Sequence, residues 1–258
     1  MTLFFRSYGE GQPIIMLHGL FGMSDYFIPY AKILSQKYKV IIPDLRNHGQ
    51  SPQSDDFSYD FLMNDVLELM RNLEISSACF IGHSMGGKIA MHTALTNSNI
   101  VEKAIIIDIA PVKYLDSNKD EFISAFKNLN ISGVESISEI KNRVEILTSN
   151  PIIQNFILKN IQFKSNKKAE WKPNVDYILK NLSKIQDFPT AENKIFNKPI
   201  LFVGGENSEY FPKKYFPKIN EYFPNNTIQI FENAGHWLHV ENSTMLINSI
   251  QEFLGKSS

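Results

Sequence analysis

The segment Ala78-Cys79-Phe80-Ile81-Gly82-His83-Ser84-Met85-Gly86 places a serine between two glycines directly after an apolar run. Ala78–Ile81 has the length and composition of a buried strand, and Met85–Leu95 has a helical pattern. A Gly-x-Ser-x-Gly segment at such a junction predicts a sharp turn that exposes the serine hydroxyl. Glycines suit both flanks, because the strand and the helix approach closely there. The segment therefore makes Ser84 a candidate nucleophile.

Short apolar runs of strand length recur along the chain, with helical patterns between them. This alternation predicts an α/β fold with a mostly parallel central sheet flanked by helices. The predicted strands are Leu3–Tyr8, Pro13–Leu17, Lys39–Ile42, Ala78–Ile81, Ala104–Ile107, Ile200–Val203 and Thr227–Phe231. The predicted helices between and after them are Phe61–Leu73, Met85–Leu95 and Ser243–Leu254.

The stretch from Pro111 to Thr190 breaks the alternation, because helical patterns such as Glu121–Leu129 and Ile137–Leu147 follow one another without a strong strand between them. We expect residues 111–190 to form a helical cap inserted into a core made of residues 1–110 and 191–258. A polar stretch, Lys164–Lys168, interrupts the cap and is interpreted as a solvated loop.

Composition restricts the class of protein. The 258 residues are 43% hydrophobic and 21% charged, which is ordinary for a globular protein. A net charge of −1 gives no field that favours nucleic acid. Cys79, the single cysteine, lies in an apolar run and is interpreted as a buried packing residue. Without a signal-peptide pattern or a membrane-length apolar stretch, a cytoplasmic protein that does not insert into membranes is expected.

His18-Gly19-Leu20-Phe21-Gly22 follows the predicted strand Pro13–Leu17. Its backbone amides are expected at the carboxyl edge of the sheet, where open α/β sheets bind ligands. We predict that the amides of Leu20 and Met85 form an oxyanion hole for the negative charge that develops during attack by Ser84. His18 is interpreted as a structural residue that orients this loop.

The position of the general base follows from chain order, because the nucleophile of this kind of site precedes the acid and then the histidine. His236 follows the last predicted strand and is the candidate base, whereas His239 is expected to be a packing or surface residue. Position alone leaves two places for the acid. Asp108 ends one predicted strand, and Glu206 or Glu209 follows the next, so either place could supply the carboxylate that orients the imidazole.

Six segments carry a resemblance to known proteins. They are His18-Gly19-Leu20-Phe21-Gly22, Asp44-Leu45-Arg46-Asn47-His48-Gly49-Gln50-Ser51, Gly82-His83-Ser84-Met85-Gly86-Gly87-Lys88, Ile107-Asp108-Ile109-Ala110-Pro111-Val112, Gly204-Gly205-Glu206-Asn207-Ser208-Glu209-Tyr210 and Gly235-His236-Trp237-Leu238-His239. Together they resemble the α/β-hydrolase superfamily, and within it a branch of small bacterial esterases and acyl-CoA thioesterases related to mitochondrial abhydrolase-domain proteins.

The resemblance implies an α/β-hydrolase fold and a Ser84, Asp108 and His236 triad, with the aspartate of the Asp-Ile-Ala-Pro segment as the acid. It also implies a small-molecule ester or acyl-thioester substrate and neither an organic cofactor nor a metal. The polar stretch in the cap departs from the pattern, which leaves the acyl specificity open. The sequence makes no prediction of the oligomeric state.

Two other functions remain open on the same residues. One is hydrolysis of a C–C bond or a lyase reaction, since one triad on this fold serves several reactions. The other is a binding or signalling protein that keeps the fold without turnover. Aromatic residues of the cap and of the loops are candidates for the substrate pocket, although such spacing is also typical of a simple core. They are Phe21, Phe122, Phe126, Phe156, Trp171 and Trp237.

Overall fold

A computed structural model of the chain describes residues 1–114, 121–164, 168–189 and 194–256. The strands within these residues are β1 (Phe5–Tyr8), β2 (Gln12–Leu17), β3 (Tyr38–Pro43), β4 (Ala78–His83), β5 (Val101–Ile107), β6 (Ile161–Phe163), β7 (Ala169–Trp171), β8 (Ile200–Gly205) and β9 (Asn226–Phe231). The central sheet has the order β1-β3-β2-β4-β5-β8-β9. Its neighbouring strands are parallel, except that β1 runs antiparallel to β3. The predicted fold class is confirmed.

The α-helices of the described residues are α1 (Ile28–Leu34), α2 (Tyr59–Asn72), α3 (Met85–Thr96), α4 (Glu121–Asn128), α5 (Ile137–Leu147), α6 (Pro151–Lys159), α7 (Val175–Lys180), α8 (Leu182–Gln186), α9 (Phe216–Tyr222), α10 (Leu238–Glu241) and α11 (Ser243–Gly255). Helices α1 and α9 lie outside the sequence predictions. Each is only seven residues long and begins at a proline-containing turn, so neither has a long apolar period.

Two apolar layers sandwich the sheet, because successive side chains of a strand point to opposite faces. In β2, Ile15 packs into the cluster that contains α2 and α3, and Ile14 packs into the cluster that contains α1 and α11. Both side chains are fully buried. Strands covered on both faces can be apolar throughout, which explains the short continuous apolar runs of the sequence.

Helices α4 to α8 lie between β5 and β8 in the chain, within the predicted cap. The cap also contains the antiparallel hairpin of β6 and β7, which the sequence did not predict. Strands of three residues are too short to show an alternating pattern, which is the physical reason for the difference. The predicted loop Lys164–Lys168 connects these strands, and residues 165–167 of it lie outside the described residues. So does the predicted boundary at 190–191, and the division into domains stays a prediction.

The parallel strands bring their carboxyl ends to one edge of the sheet. β2 ends at Leu17, β4 at His83, β5 at Ile107 and β9 at Phe231. The loops that follow these strands therefore meet beneath the cap, although their residues are far apart in sequence. In the described part of the chain, no helix is both long and apolar enough to cross a membrane.

Candidate active site

Ser84 occupies the turn between β4 and α3 in a backbone conformation that L-residues rarely adopt, with φ 51° and ψ −118°. Its amide donates to the carbonyl of Ile107 at 3.0 Å, which fixes the turn on the neighbouring strand. A Cβ on Gly82 would lie 2.3 Å from the carbonyl oxygen of Gly86, and one on Gly86 would lie 2.2 Å from that of Leu17. Both flanking positions therefore require glycine, and the serine side chain is left facing a cavity.

Asp108 lies at the carboxyl end of β5, is fully buried, and also has a positive φ of 54°. Its amide donates to the carbonyl of Val203 at 2.7 Å. The amide of Gly205 donates to Oδ1 at 2.7 Å, and the hydroxyl of Ser208 donates to Oδ2. Burying a carboxylate without hydrogen-bond partners costs free energy, and these donors offset that cost. They also hold the carboxylate in one orientation.

The same Oδ2 atom lies 2.6 Å from Nδ1 of His236. A carboxylate only accepts hydrogen bonds, so Nδ1 of the imidazole carries the hydrogen and Nε2 is left as the basic ring nitrogen. The ring packs against Tyr210, with centroids 4.2 Å apart, and against Trp237, with centroids 5.3 Å apart. Asp108 and the two aromatic rings thus orient His236.

The alternative acids lie elsewhere. Glu206 and Glu209 are exposed, and the Glu206 carboxylate accepts from the amide of Asn233 at 3.1 Å. Neither glutamate hydrogen-bonds His236 in the described part of the chain. Geometry therefore favours Asp108 as the partner of the imidazole.

Ser84 and His236 line one cavity of about 600 Å³ beneath the cap. No hydrogen bond joins Ser84 Oγ to the His236 ring among the described residues. Such bonds are often long before substrate binds and shorten in the reacting complex, so both residues remain candidates for one reaction.

The predicted oxyanion loop is held by two buried histidines. The Phe21 amide donates to Nε2 of His48 at 2.9 Å, and the Leu45 amide donates to Nε2 of His18 at 3.0 Å. Burial lowers the pKa of His18 to about 4 and that of His48 to about 3, so both rings are neutral at neutral pH and can accept these bonds. The centroids of the two rings lie 5.0 Å apart, and both rings hold the backbone next to the loop.

In the described part of the chain, the predicted oxyanion donors have no acceptor. Within the described residues, the Leu20 amide has no hydrogen-bond partner in the chain. Met85 is the first residue of α3, where an amide has no partner in the preceding turn of the helix. Leu20 and Met85 both line the cavity beside Ser84. The arrangement suits an anionic oxygen at this position.

Three of the six predicted pocket aromatics, Phe122, Phe156 and Trp237, line the cavity. The other three do not line it: Phe21 and Phe126 are buried in the packed core, and the half-buried Trp171 packs against that core. Phe21 is fully buried and stacks on Phe126, with centroids 3.9 Å apart and ring planes 3° apart, and Trp171 lies 5.2 Å from Phe126. Phe21 of the loop after β2 thus packs against Phe126 of α4, which in turn contacts Trp171 of β7, so these rings join the cap to the sheet core.

Several residues of this region escaped the sequence analysis. Ser208 donates to Oδ2 of Asp108, a role that the sequence did not predict. Lys88 and Tyr114 line the cavity, and His83 lies at its base. His239 is buried rather than exposed, and its ring lies 4.7 Å from that of His83. The Gly-Gly-x-x-Ser spacing was the one signal that could have identified Ser208.

Arg46 does not reach the cavity. Its guanidinium donates to both carboxylate oxygens of Asp65, at 2.6 and 2.8 Å, and to the carbonyl of Asp56. Asp44 accepts from the amides of Ser24 and Gln50, at 2.6 and 2.8 Å. The polar segment that follows β3 is therefore a rigid loop.

A family model described as the alpha/beta hydrolase fold matches residues 12–243. The chain belongs to the α/β-hydrolase family. An sn-1-specific diacylglycerol lipase ABHD11 from Danio rerio is 34% identical, with coverage of 97% of this chain and 80% of the relative. Esterase YbfF of Escherichia coli K12 is 30% identical, with coverage of 95% and 94%.

Among solved structures, a marine microorganism esterase is similar to this α/β hydrolase over 98% of the chain and 99% of its own length. The two share 37% sequence identity, with a TM-score of 0.93. The fold and these relatives, which are named as esterases and lipases, show that the protein is a hydrolase enzyme. The predicted resemblance to small bacterial esterases and mitochondrial abhydrolases is confirmed.

Proposed function

We propose that this enzyme is a serine hydrolase that cleaves carboxylic esters and acyl thioesters through an acyl-enzyme. Ser84 is the nucleophile, His236 the general base, and Asp108 the residue that orients the base. One observation carries the proposal: the 2.6 Å contact between His236 Nδ1 and Asp108 Oδ2, at the edge of the cavity that Ser84 faces. A small-molecule ester or thioester is the substrate, and the sequence predicts a cytoplasmic location.

In the proposed reaction, Ser84 Oγ attacks the substrate carbonyl carbon while His236 Nε2 takes the hydroxyl proton. Asp108 stabilises the imidazolium that forms. The tetrahedral intermediate then breaks its bond to the alcohol or thiol, which leaves with the proton from His236. A water molecule attacks the acyl-enzyme in the same way and regenerates Ser84 and the free acid.

The amides of Leu20 and Met85 supply the electrostatic part of the reaction. They are predicted to donate to the carbonyl oxygen as it becomes an oxyanion, which stabilises the transition state by about 3 kcal/mol for each donor. The amino end of α3 adds a positive dipole at the same place. Esters and thioesters pass through the same kind of intermediate, so this arrangement supports both classes.

The relatives support the ester class. The printed name of the zebrafish relative specifies diacylglycerol, a glycerol ester, and that of the bacterial relative specifies an esterase. The cavity walls of this enzyme combine aromatic residues, such as Phe122 and Phe156, with polar ones, such as Lys88 and Gln186. A cavity of this kind suits an apolar acyl or alkyl chain next to a polar ester group.

The test is covalent labelling of Ser84 by a fluorophosphonate probe, followed by mass spectrometry of the labelled peptide. Turnover of p-nitrophenyl esters and acyl-CoAs of graded length is measured in parallel, with Ser84→Ala as the control. The variant should lose labelling and about a millionfold in kcat. An unlabelled serine in the wild-type enzyme would favour a binding protein, and labelling without ester or thioester turnover would favour C–C bond or lyase chemistry.

A further inference from the structure

The carboxyl end of helix α8 is bound to the core by side chains of two other helices. Tyr59 of α2 donates its hydroxyl to the carbonyl of Ile185 at 2.7 Å. Lys88 of α3 donates from Nζ to the carbonyls of Gln186 and Asp187, both at 2.8 Å. The last carbonyls of a helix lack partners within it, and here the core provides them. The carboxyl end of α8, the last helix of the cap, thus receives its hydrogen-bond donors from α2 and α3.

Lys88 lies one helical turn after Ser84, and its amide donates to the Ser84 carbonyl at 3.1 Å. Its side chain is buried, and the ammonium also lies over the rings of Tyr114 and Tyr59, at 4.7 and 5.8 Å from their centroids. The same short stretch of α3 therefore contacts the reacting serine at one end and the cap at the other.

The groups that contact the Lys88 ammonium are mainly neutral. The Asp187 carboxylate pairs with Lys113, at 3.3 Å, and accepts from the Phe188 amide at 2.8 Å. Burial lowers the pKa of Lys88 to about 7, and the nearby Asp187 carboxylate opposes part of this effect. An ammonium is costly to bury, and the carbonyls of Gln186 and Asp187 offset that cost only while the cap is in place.

We propose that Lys88 is a positioning residue that holds residues 185–187 against helix α3, which begins directly after Ser84. It thereby fixes the position of the cavity wall formed by Leu182, Ile185 and Gln186. These three residues line the cavity together with Lys88 itself. If the contact is lost, this wall moves away from Ser84. Substrates with a chain long enough to reach the wall then lose contacts that short substrates never make.

The kinetic part of this proposal rests on the proposed esterase function, whereas its structural part does not. We therefore compare Lys88→Met, which keeps an unbranched apolar side chain and removes the N–H donors, with wild-type enzyme by two measurements. The first is hydrogen exchange of the backbone amides of residues 182–189. The second is kcat/KM, corrected for the fraction of Ser84 that a fluorophosphonate labels. It is measured for two substrate pairs: p-nitrophenyl acetate with p-nitrophenyl octanoate, and ethyl acetate with octyl acetate.

Lys88→Met is expected to exchange about tenfold faster in residues 182–189. Its long-to-short ratio of kcat/KM should fall about tenfold in at least one substrate pair. Lys113→Met is the matched control, because Lys113 contacts the same segment from the surface, with its side chain 57% exposed. This control should keep both quantities within about twofold of wild type.

Equal loss of kcat/KM for long and short substrates would overturn the proposal, because it would show that Lys88 only stabilises the fold. Exchange within about twofold of wild type would also overturn it. If Lys88→Met does not fold, Tyr59→Phe replaces it and should accelerate exchange in the same residues, and unchanged exchange there would count against the proposal. A wild-type enzyme that neither labels nor turns over esters would refute the proposed function, while the exchange measurement would still decide the role of Lys88.

Discussion

The imidazole of His236 contacts Asp108 at 2.6 Å, although 128 positions separate them in the chain. The contact joins the loop after β9 to the end of β5, across the intervening strand β8. From β8 and the loop after it, Gly205 and Ser208 hold the carboxylate. The end of β8 and the loop after it, where Glu206 and Glu209 were the alternative acids, thus donate hydrogen bonds to Asp108 at the end of the neighbouring strand β5.

Asp108→Asn is expected to lower kcat about ten-thousandfold, because an amide in place of the carboxylate favours the wrong imidazole tautomer and cannot balance the imidazolium. Burst and steady-state kinetics with a p-nitrophenyl ester measure the effect. Glu206→Gln is the matched control and should keep kcat within about twofold. A crippled Glu206→Gln beside a nearly normal Asp108→Asn would transfer the acid role to the glutamate.

Gly82→Ala is expected to destabilise the fold by more than about 2 kcal/mol, because the new Cβ would lie 2.3 Å from the backbone of Gly86 and neither segment can easily move. Urea unfolding followed by circular dichroism measures the change. Gly255→Ala is the control, since within the described residues no atom beyond its chain neighbours and its own helix backbone lies within 4 Å of the added Cβ. It should change the free energy of unfolding by less than about 0.5 kcal/mol. Similar values for both variants would show that the close approach at the elbow is not required.

Phe126→Ala and Phe122→Ala separate the core from the cavity. Phe126 is 1% exposed and stacks on Phe21, so its truncation should cost about 3 to 5 kcal/mol of unfolding free energy. Phe122 lines the cavity, so Phe122→Ala should cost less stability and raise KM for a long-chain ester about tenfold. Unfolding curves and steady-state kinetics test both variants. A larger stability loss for Phe122→Ala would contradict this division.

Acid is expected to unfold the protein partly through its buried histidines. Burial lowers the pKa of His48 to about 3, against 6.5 for an ordinary histidine, and lowers that of His239 also to about 3. Between these pH values the unfolded chain binds a proton that the folded chain does not. Stability from each group is therefore complete above pH 6.5 and decreases as pH falls, by about 1.4 kcal/mol per pH unit.

His48→Gln removes one of these buried histidines, so the free energy of unfolding of the variant should depend less on pH. Urea unfolding at about pH 6.5 and about pH 4.5 measures it, and the decrease should be about 2 kcal/mol smaller in the variant than in wild type. Because the comparison uses the change with pH, the loss of the Phe21 amide contact in the variant does not affect it. Parallel decreases in the two proteins would show that His48 does not supply this pH dependence.

The strands and the elbow could be predicted because their signals are local. Ala78–Ile81 is apolar throughout, and the glycines on each side of Ser84 report a close backbone approach that occurs within five residues. The hairpin of β6 and β7 was missed because three-residue strands have no detectable period. Helices α1 and α9 were missed for a related reason, since seven residues make only two turns.

The candidate site divides in the same way. Ser84, His236 and the two possible places for the acid followed from motif and chain order, because strand ends of a parallel sheet must meet at one edge. The resemblance already implied Asp108 as the acid, and the tertiary structure places its carboxylate against the imidazole. Only the tertiary structure decided that Phe21 and Phe126 belong to the core and that Lys88 binds the cap. Each of these depends on where a side chain points after distant segments have packed, and no local pattern in the sequence encodes that direction.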